Sequence, residues 1–382
     1  MIVKFIFWIS LILLVHIYVG YLGISILLGK IFRKPLKKEG ILPNVSLVIP
    51  AFNEEKVIKD KLENSLGLDY PKEKLEIVVV SESDDQTNSI VSQYIEKGII
   101  LYTYRTRQGK SKMLYDTVPK TKGEIIVFSD ANAIYEKDAL KRLVSNFYDR
   151  HIGGVLGRLV IANPHDSSIS GGESIYKKYE GLLRKYNSYL HSILGADGSM
   201  FGIRRELYSP ISPTRGDDFE LAVRILIKGF GLVFEPEAIS YEKASISYHD
   251  EIRRKIRMVS WFLKSSFFLL KEMFRPFRGF LIFQLISNKI LRWFSPYFVI
   301  LLFFSNLVLY KTHPFYSIFF SIQILFYTIA VISGIYLKKG ERRLHRLLGM
   351  AFYFLTFNYA FLLGTLKGLF FRQKSLWEKV RG

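Results

Sequence analysis

Two short acidic segments carry the residue types for chemistry. Phe128-Ser129-Asp130-Ala131-Asn132 follows the apolar run Ile125-Ile126-Val127, and Gly216-Asp217-Asp218-Phe219-Glu220 opens a helix-like stretch ending at Lys228-Gly229. They lie about ninety residues apart. A carboxylate at the end of a buried strand is placed to hold a divalent cation against a phosphate. A second carboxylate on a separate element, facing the same crevice, can act as a general base.

The elements that position these residues are legible as alternating strands and helices. Residues 45–49, 75–80, 99–104 and 125–128 are short apolar runs that predict strands. Residues 54–66, 84–96 and 137–148 predict the intervening helices. Such alternation implies an α/β domain with a doubly wound, mainly parallel sheet. Ligands of such sheets bind beyond the carboxyl ends of the strands. Pro50-Ala51-Phe52-Asn53-Glu54 follows the first strand, Ser81-Glu82-Ser83-Asp84-Asp85 the second, and Asp130 and Asn132 the fourth. No internal repeat or low-complexity linker interrupts the pattern.

Apolar residues concentrate before residue 30 and after about residue 265. Residues 5–28 form an uncharged run of 24, and a membrane span needs roughly 20. It is too long for a signal-peptide core. Lys30, Arg33, Lys34, Lys37 and Lys38 follow, against a lone Lys4 before it, so the positive-inside rule puts residue 30 onward in the cytoplasm. Residues 294–310, 315–337 and 347–366 are three more apolar runs, and Lys338-Lys339-Gly340-Glu341-Arg342-Arg343 is a cytoplasmic marker between the last two. Four crossings would leave Arg372, Lys374, Lys379 and Arg381 outside. Either the last run is re-entrant or interfacial, or the tail departs from the rule. Residues 267–292 are apolar but broken by charges and Pro276, a pattern that suits helices lying in the interface or a buried helix of the soluble domain. The expected organisation is an anchor at 1–30, a cytoplasmic domain at 41–264, interfacial helices at 265–292, a membrane region at 293–371 and a basic tail at 372–382.

The formal charge of +20 fits anionic membrane lipids better than nucleic acid, because the basic residues cluster beside the apolar spans. The absence of cysteine excludes disulfides, thiolate metal sites and cysteine nucleophiles.

Val48-Ile49-Pro50-Ala51-Phe52-Asn53-Glu54-Glu55 resembles the opening motif of family 2 glycosyltransferases of the GT-A fold. Val79-Val80-Ser81-Glu82-Ser83 is similar to that family's strand ending in an acidic residue, and Gly109-Lys110 to its Gly-Lys before a helix. Asp130-Ala131-Asn132 resembles its Asp-x-Asp metal motif, Gly195-Ala196-Asp197-Gly198-Ser199-Met200-Phe201 its acceptor-side loop, and Asp217-Asp218 its acidic pair. The resemblance spans residues 44–260, with six short motifs in the family's order. It implies inverting transfer of a sugar from a nucleotide-sugar, a UDP-sugar by the uracil-binding motif, with Mg2+ or Mn2+.

Under that resemblance Asp130 and Asn132 are the metal site. Asn132 replaces the second Asp and would ligate at lower charge, directly or through water. Glu82 would accept a hydrogen bond from the base. Pro50, Asn53 and Glu54 would line the nucleoside pocket, though Glu54 reads equally as a first-turn helix carboxylate. Asp84 reads as a helix N-cap. Lys110 is a candidate for the donor phosphates. Asp197 would bind an acceptor hydroxyl or stabilise a turn. Asp218 is the base and Asp217 a positioning residue; a helix N-cap role for Asp218 is compatible.

Processive synthases of the family carry Gln-x-x-Arg-Trp. Here Arg254 stands for the Gln and Met258 for the Trp, while Arg257 keeps the arginine and could hold the diphosphate. Trp261 falls three residues late. The favoured acceptor is therefore lipid-linked or a glycan, with processive polymer synthesis coupled to translocation as the alternative. A transporter or a non-catalytic scaffold is a more distant reading, and the spans carry no substrate-path carboxylates to favour a transporter.

The chain has no native cysteine, which makes its topology directly testable. A Lys122→Cys variant should react with an impermeant maleimide only after the inner membrane is opened. Labelling in intact cells would place the domain on the other side.

Overall fold

The computed structural model describes residues 1–162, 170–196, 198–212, 215–243, 248–338 and 346–371. In chain order the elements are α1 (Ile2–Val15), α2 (Tyr21–Ile31), β1 (Val45–Ala51), α3 (Ile58–Leu66), β2 (Leu75–Ser81), α4 (Thr87–Ser92), β3 (Ile99–Thr103), α5 (Lys110–Thr117), β4 (Ile125–Phe128), β5 (Ile134–Tyr135) and α6 (Ala139–Val144). There follow β6 (Ile152–Ile161), α7 (Ser170–Tyr189), β7 (Phe201–Arg204), α8 (Asp217–Ile227), β8 (Gly231–Glu242), α9 (Tyr248–Met273), α10 (Gly279–Leu285), α11 (Leu291–Trp293), α12 (Ser295–Leu309), α13 (Pro314–Lys338) and α14 (Arg346–Phe370).

The described residues build one eight-stranded mixed sheet in the order β3-β2-β1-β4-β7-β6-β8-β5. The first four strands run parallel, as the alternation predicts. β7 then enters antiparallel between β4 and β6, β8 pairs parallel with β6, and β5 closes the far edge antiparallel. β1 is buried along its whole length, which is why its sequence is a near-continuous apolar run. Its side chains still alternate between two cores. Leu47 and Ile49 face α3 and α6, whereas Val48 faces the core that holds α5, α8 and α9.

The four predicted strands stand within two residues of their expected ends, but the helices are shorter. α3 begins only at Ile58, after a turn over residues 55–57, and α4 spans only Thr87–Ser92. Asp84 is therefore no helix cap; it lies in the loop before α4, and its N–H donates to Asn53 Oδ1 at 3.0 Å. α8 likewise takes Gly216, not Asp218, as its N-cap.

Among the described residues, three helical stretches are long and apolar enough to cross a membrane: Ile2–Ile31, Pro314–Tyr336 and Gly349–Phe370. The apolar run at 294–310 is one limb of a bent pair. Gly279–Trp293 and Ser295–Leu309 meet at 60° and together would make a fourth, broken span. Pro296 stands in the first turn of α12, where its missing N–H is tolerated but would break a continuing helix. The basic segment 339–345 and the tail 372–382 lie outside the described residues.

The core on the α8 side does not stop at the domain edge. Val48, Phe128 and Phe219 belong to the same buried cluster as Trp293, Phe357 and Phe361 of the membrane helices. α9 is the bridge. The backbone of α14 at Gly364 and Gly368 comes so close to Val259 and Ser260 that an added Cβ would meet them at 2.8 and 3.1 Å. At its other face, Phe262 stacks on Phe219 with ring centroids 4.9 Å apart.

Phe219 is 1% exposed and packs against both Phe262 of α9 and Trp293 of α11. Phe219→Ala should cost about 3–5 kcal/mol of stability in detergent, measured by denaturant unfolding. A loss below about 1 kcal/mol would show that the α8–α9 contact does not hold the domain to its membrane helices.

Candidate active site

The site lies where β1, β2 and β4 end. Ser129 N–H extends the β4 ladder by donating to Val48 O at 3.0 Å, and the chain then turns, with Ala133 N–H donating to Asp130 O at 3.1 Å. Asp130 N–H donates to Gly198 O at 2.8 Å, which joins this turn to the loop before β7. The Asp130 carboxylate packs directly over Gly198, where an added Cβ would fall 2.7 Å from Oδ1. Asn132 is half-buried in the same turn.

The second acidic segment is brought up by α8. Gly216 N–H donates to Ser265 Oγ at 3.2 Å, and a Cβ on Gly216 would sit 2.2 Å from the Phe262 ring. Only glycine lets α9 press this closely on the start of α8. Glu220, fully buried one turn on, pairs with Arg215 and Arg224 at 3.0 Å each. Burial pushes its carboxyl above the usual range, and the two guanidinium groups oppose that shift. Arg224 also reaches Glu272 of α9 at 3.6 Å, a second tie between the helices.

Lys110 joins the two acidic segments. Its Nζ lies 3.3 Å from Asp218 Oδ2 and 3.7 Å from Asp130 Oδ1. Two carboxylates from distant parts of the chain thus converge on one ammonium. The lysine is itself aimed by Glu82. That side chain is 5% exposed, and its Oε2 accepts from Gln108 N–H at 2.7 Å and Gly109 N–H at 2.8 Å, pinning the turn from which α5 starts. Its Oε1 has no hydrogen-bond partner among the described residues.

The expected nucleoside-side residues are placed as follows. Pro50 is buried in β1 opposite Val80. Asn53 adopts a left-handed backbone (φ 55°), uncommon outside glycine, and uses both its N–H, to Ser83 Oγ at 2.9 Å, and its Oδ1, to Asp84 N–H, to lock the loops after β1 and β2 together. Glu54 N–H extends that lock to Thr87 Oγ1 at 2.8 Å. Arg257 is on α9, with its guanidinium 5.9 Å from the Trp261 ring one helical turn on. Asp217 opens α8 through its backbone, and Asp197 lies outside the described residues.

Sequence reasoning missed three features here. The Arg107 guanidinium covers the Phe52 ring at 3.9 Å beside the locked loops. Gly198 matters for the space it leaves. Lys61 is fully buried beneath the Asp130 turn, and burial pushes its ammonium down to about 7, opposed by Asp130 and Glu242. A lysine on the apolar stripe of α3, between Ile58, Leu62 and Ser65, was the available signal for the last.

Residues 43–279 match the family described as glycosyltransferase like family 2. The chain belongs to this family. Along almost its whole length this glycosyltransferase is also similar to the probable glycosyltransferase YdaM of Bacillus subtilis, 26% identical and covering 89% of this chain and 87% of the relative. It is 28% identical to the beta-monoglucosyldiacylglycerol synthase of Trichormus variabilis over 52% of this chain, but spans only 45% of that protein. Its fold is that of a mannosyltransferase from Pyrobaculum calidifontis solved with GDP-Man and Mn2+, with a TM-score of 0.71, 21% identity and coverage of 96% and 99% of the two chains. The GT-A fold implied by its sequence motifs and helices apolar enough for the membrane, implied by its apolar runs, are thus both present.

Gly198→Ala should push the Asp130 carboxylate off its seat and lower transferase activity at least tenfold. The backbone there is not left-handed, so the unfolding midpoint should hardly move. Full activity would show that Asp130 does not need its observed position.

Proposed function

We propose that this enzyme transfers a sugar, with inversion, from a UDP-sugar to a lipid-linked or glycan acceptor at the cytoplasmic face of a membrane. The convergence of Asp130 and Asp218 on Lys110 is the observation that carries this reading. An ammonium held by two carboxylates marks a place built for positive charge, beside the strand ends where a donor diphosphate would lie.

The donor set suits a hard cation. Among the described residues no three His, Asp or Glu side chains form a closed cage. Asp130 and Asn132 would instead supply a partial set of oxygen ligands, of the kind magnesium or manganese takes when substrate phosphates complete the shell. Such an ion would neutralise charge on the diphosphate leaving group. The mannosyltransferase of the same fold was solved with Mn2+ and a nucleotide-sugar, which supports this choice.

Asp218 takes the proton of the acceptor hydroxyl as its oxygen attacks the anomeric carbon and the bond from that carbon to the diphosphate breaks. A donor diphosphate at this crevice would compete with Asp218 for the Lys110 ammonium. Glu82 keeps the start of Lys110's helix in place for this exchange, and its Oε1 remains for a donor N–H of the nucleobase. Phe52 and Arg107 flank the same loops.

The position of the site supports the acceptor reading. α9 ties the start of α8 to α14, so Asp218 lies beside the helices that meet the bilayer, and anionic lipids would hold the basic flanks there. The similarity to a diacylglycerol-modifying synthase points the same way. Met258 in place of the acceptor-seating tryptophan favours addition of one or a few sugars. Trp261 stands on the same helix face as Arg257, so long polymer from the purified protein would restore the processive reading.

Asp218→Asn should reduce turnover about 10²–10⁴-fold and leave donor binding nearly intact. Because Gly216 is the helix cap, folding should not change. More than about a tenth of parental turnover would move the base elsewhere. A chelator should abolish activity and Mn2+ or Mg2+ restore it, assayed with radiolabelled UDP-sugars and extracted lipids; full activity in chelator would refute the metal site.

A further inference from the structure

Lys61 takes no part in the chemistry above, yet it lies at the base of the site. Its side chain is fully buried at a position where the amphipathic stripe of α3 calls for an apolar residue. A buried ammonium costs several kcal/mol unless it is paired and hydrogen-bonded. Here Nζ donates to Ala133 O at 2.6 Å and lies 3.9 Å from the centroid of the Tyr135 ring. Both partners belong to the segment that leaves the Asp130–Asn132 turn.

Asn64, one helical turn along α3, holds the same segment. Its Nδ2 donates to Tyr135 O and its Oδ1 accepts from Tyr135 N–H, each at 2.8 Å. Tyr135 passes the constraint on, because its hydroxyl donates to Ser199 O at 2.9 Å in the loop whose Gly198 carbonyl receives Asp130 N–H. Ala133 and Tyr135 are thus held to one face of α3, and Tyr135 is held to the Gly198 loop on its other side. Hydrophobic side chains at 61 and 64 would pack the core without fixing the turn. An apolar contact does not specify a carbonyl direction; a charge-assisted hydrogen bond does.

We propose that Lys61 is a positioning residue for the metal-binding turn, acting with Asn64 and Tyr135 to hold Asp130 and Asn132 toward the donor diphosphate. This rests on the metal and donor roles proposed above. Loss of an outer partner of a metal ligand typically costs about 10–100-fold in metal affinity or activity.

The test uses the full chain in detergent, with calorimetric titration of UDP and GDP in Mn2+ and in chelator, beside thermal melting. Lys61→Met keeps the length of the side chain and removes its charge. It should melt near the parent, bind the nucleotide in Mn2+ about tenfold or more weaker, and lose little of the residual binding in chelator. A merely structural lysine would lower the melting temperature and spare the Mn2+-dependent affinity, and that result overturns the proposal. If Lys61→Met does not fold, Tyr135→Phe decides. It keeps the ring under the ammonium and removes the hydroxyl that bonds Ser199, so it should fold as the parent and bind Mn2+–nucleotide more weakly by about threefold or more; parental affinity would overturn the proposal. If the parent binds neither nucleotide in Mn2+, the donor-site reading falls and this inference falls with it.

Discussion

The Lys110 ammonium, set between Asp130 and Asp218, is the contact on which the site's architecture depends. Like charges this close repel strongly in a partly buried crevice. A cation between them makes the arrangement stable, and the side chains are partly shielded, with Lys110 17% and Asp218 19% exposed. The rest of the domain works to bring the three groups together. Glu82 fixes the turn before Lys110, Gly198 leaves room for the Asp130 carboxylate, and Gly216 lets α9 close on the start of α8.

The same packing explains why the membrane helices are part of the enzyme's core. Phe219 follows Asp218 directly and packs with Phe262 of α9 and Trp293 of α11. α9 lies against α14 along most of its length, and buried side chains run from β4 to Phe361 without a gap. A displacement of α9 at the membrane is therefore felt one residue from the carboxylate. Buried interiors are close-packed and transmit such shifts.

Some of the site was legible from local pattern. β1, β2 and β4 are apolar runs of strand length, and the acidic and amide residues that follow them stand at the strand ends where parallel sheets bind ligands. The order of the motifs led to the family before any coordinate was needed. Asp84 was misread because a cap signature depends on where the helix begins, and the Asn53 side chain takes the Asp84 N–H outside the helix. The run at 294–310 read as a plain span, whereas hydropathy carries no record of the 60° bend before Pro296.

What the sequence alone determined are the properties that depend on neighbours along the chain: strand and helix periodicity, the apolar segments long enough for a bilayer, and the acidic motifs in order. Only the tertiary structure decided which of those residues meet. It showed Lys110 bridging two acidic segments, Glu82 holding a backbone turn, and Lys61 buried beneath the Asp130 loop. Periodicity reports that a position is buried or exposed. It does not report which polar atom waits on the other side, because that is set by the register of β4 with β1 and β7 and by the approach of α3 and α9 from opposite faces. A lysine on an apolar stripe reads as a flaw until the carbonyl it reaches is seen.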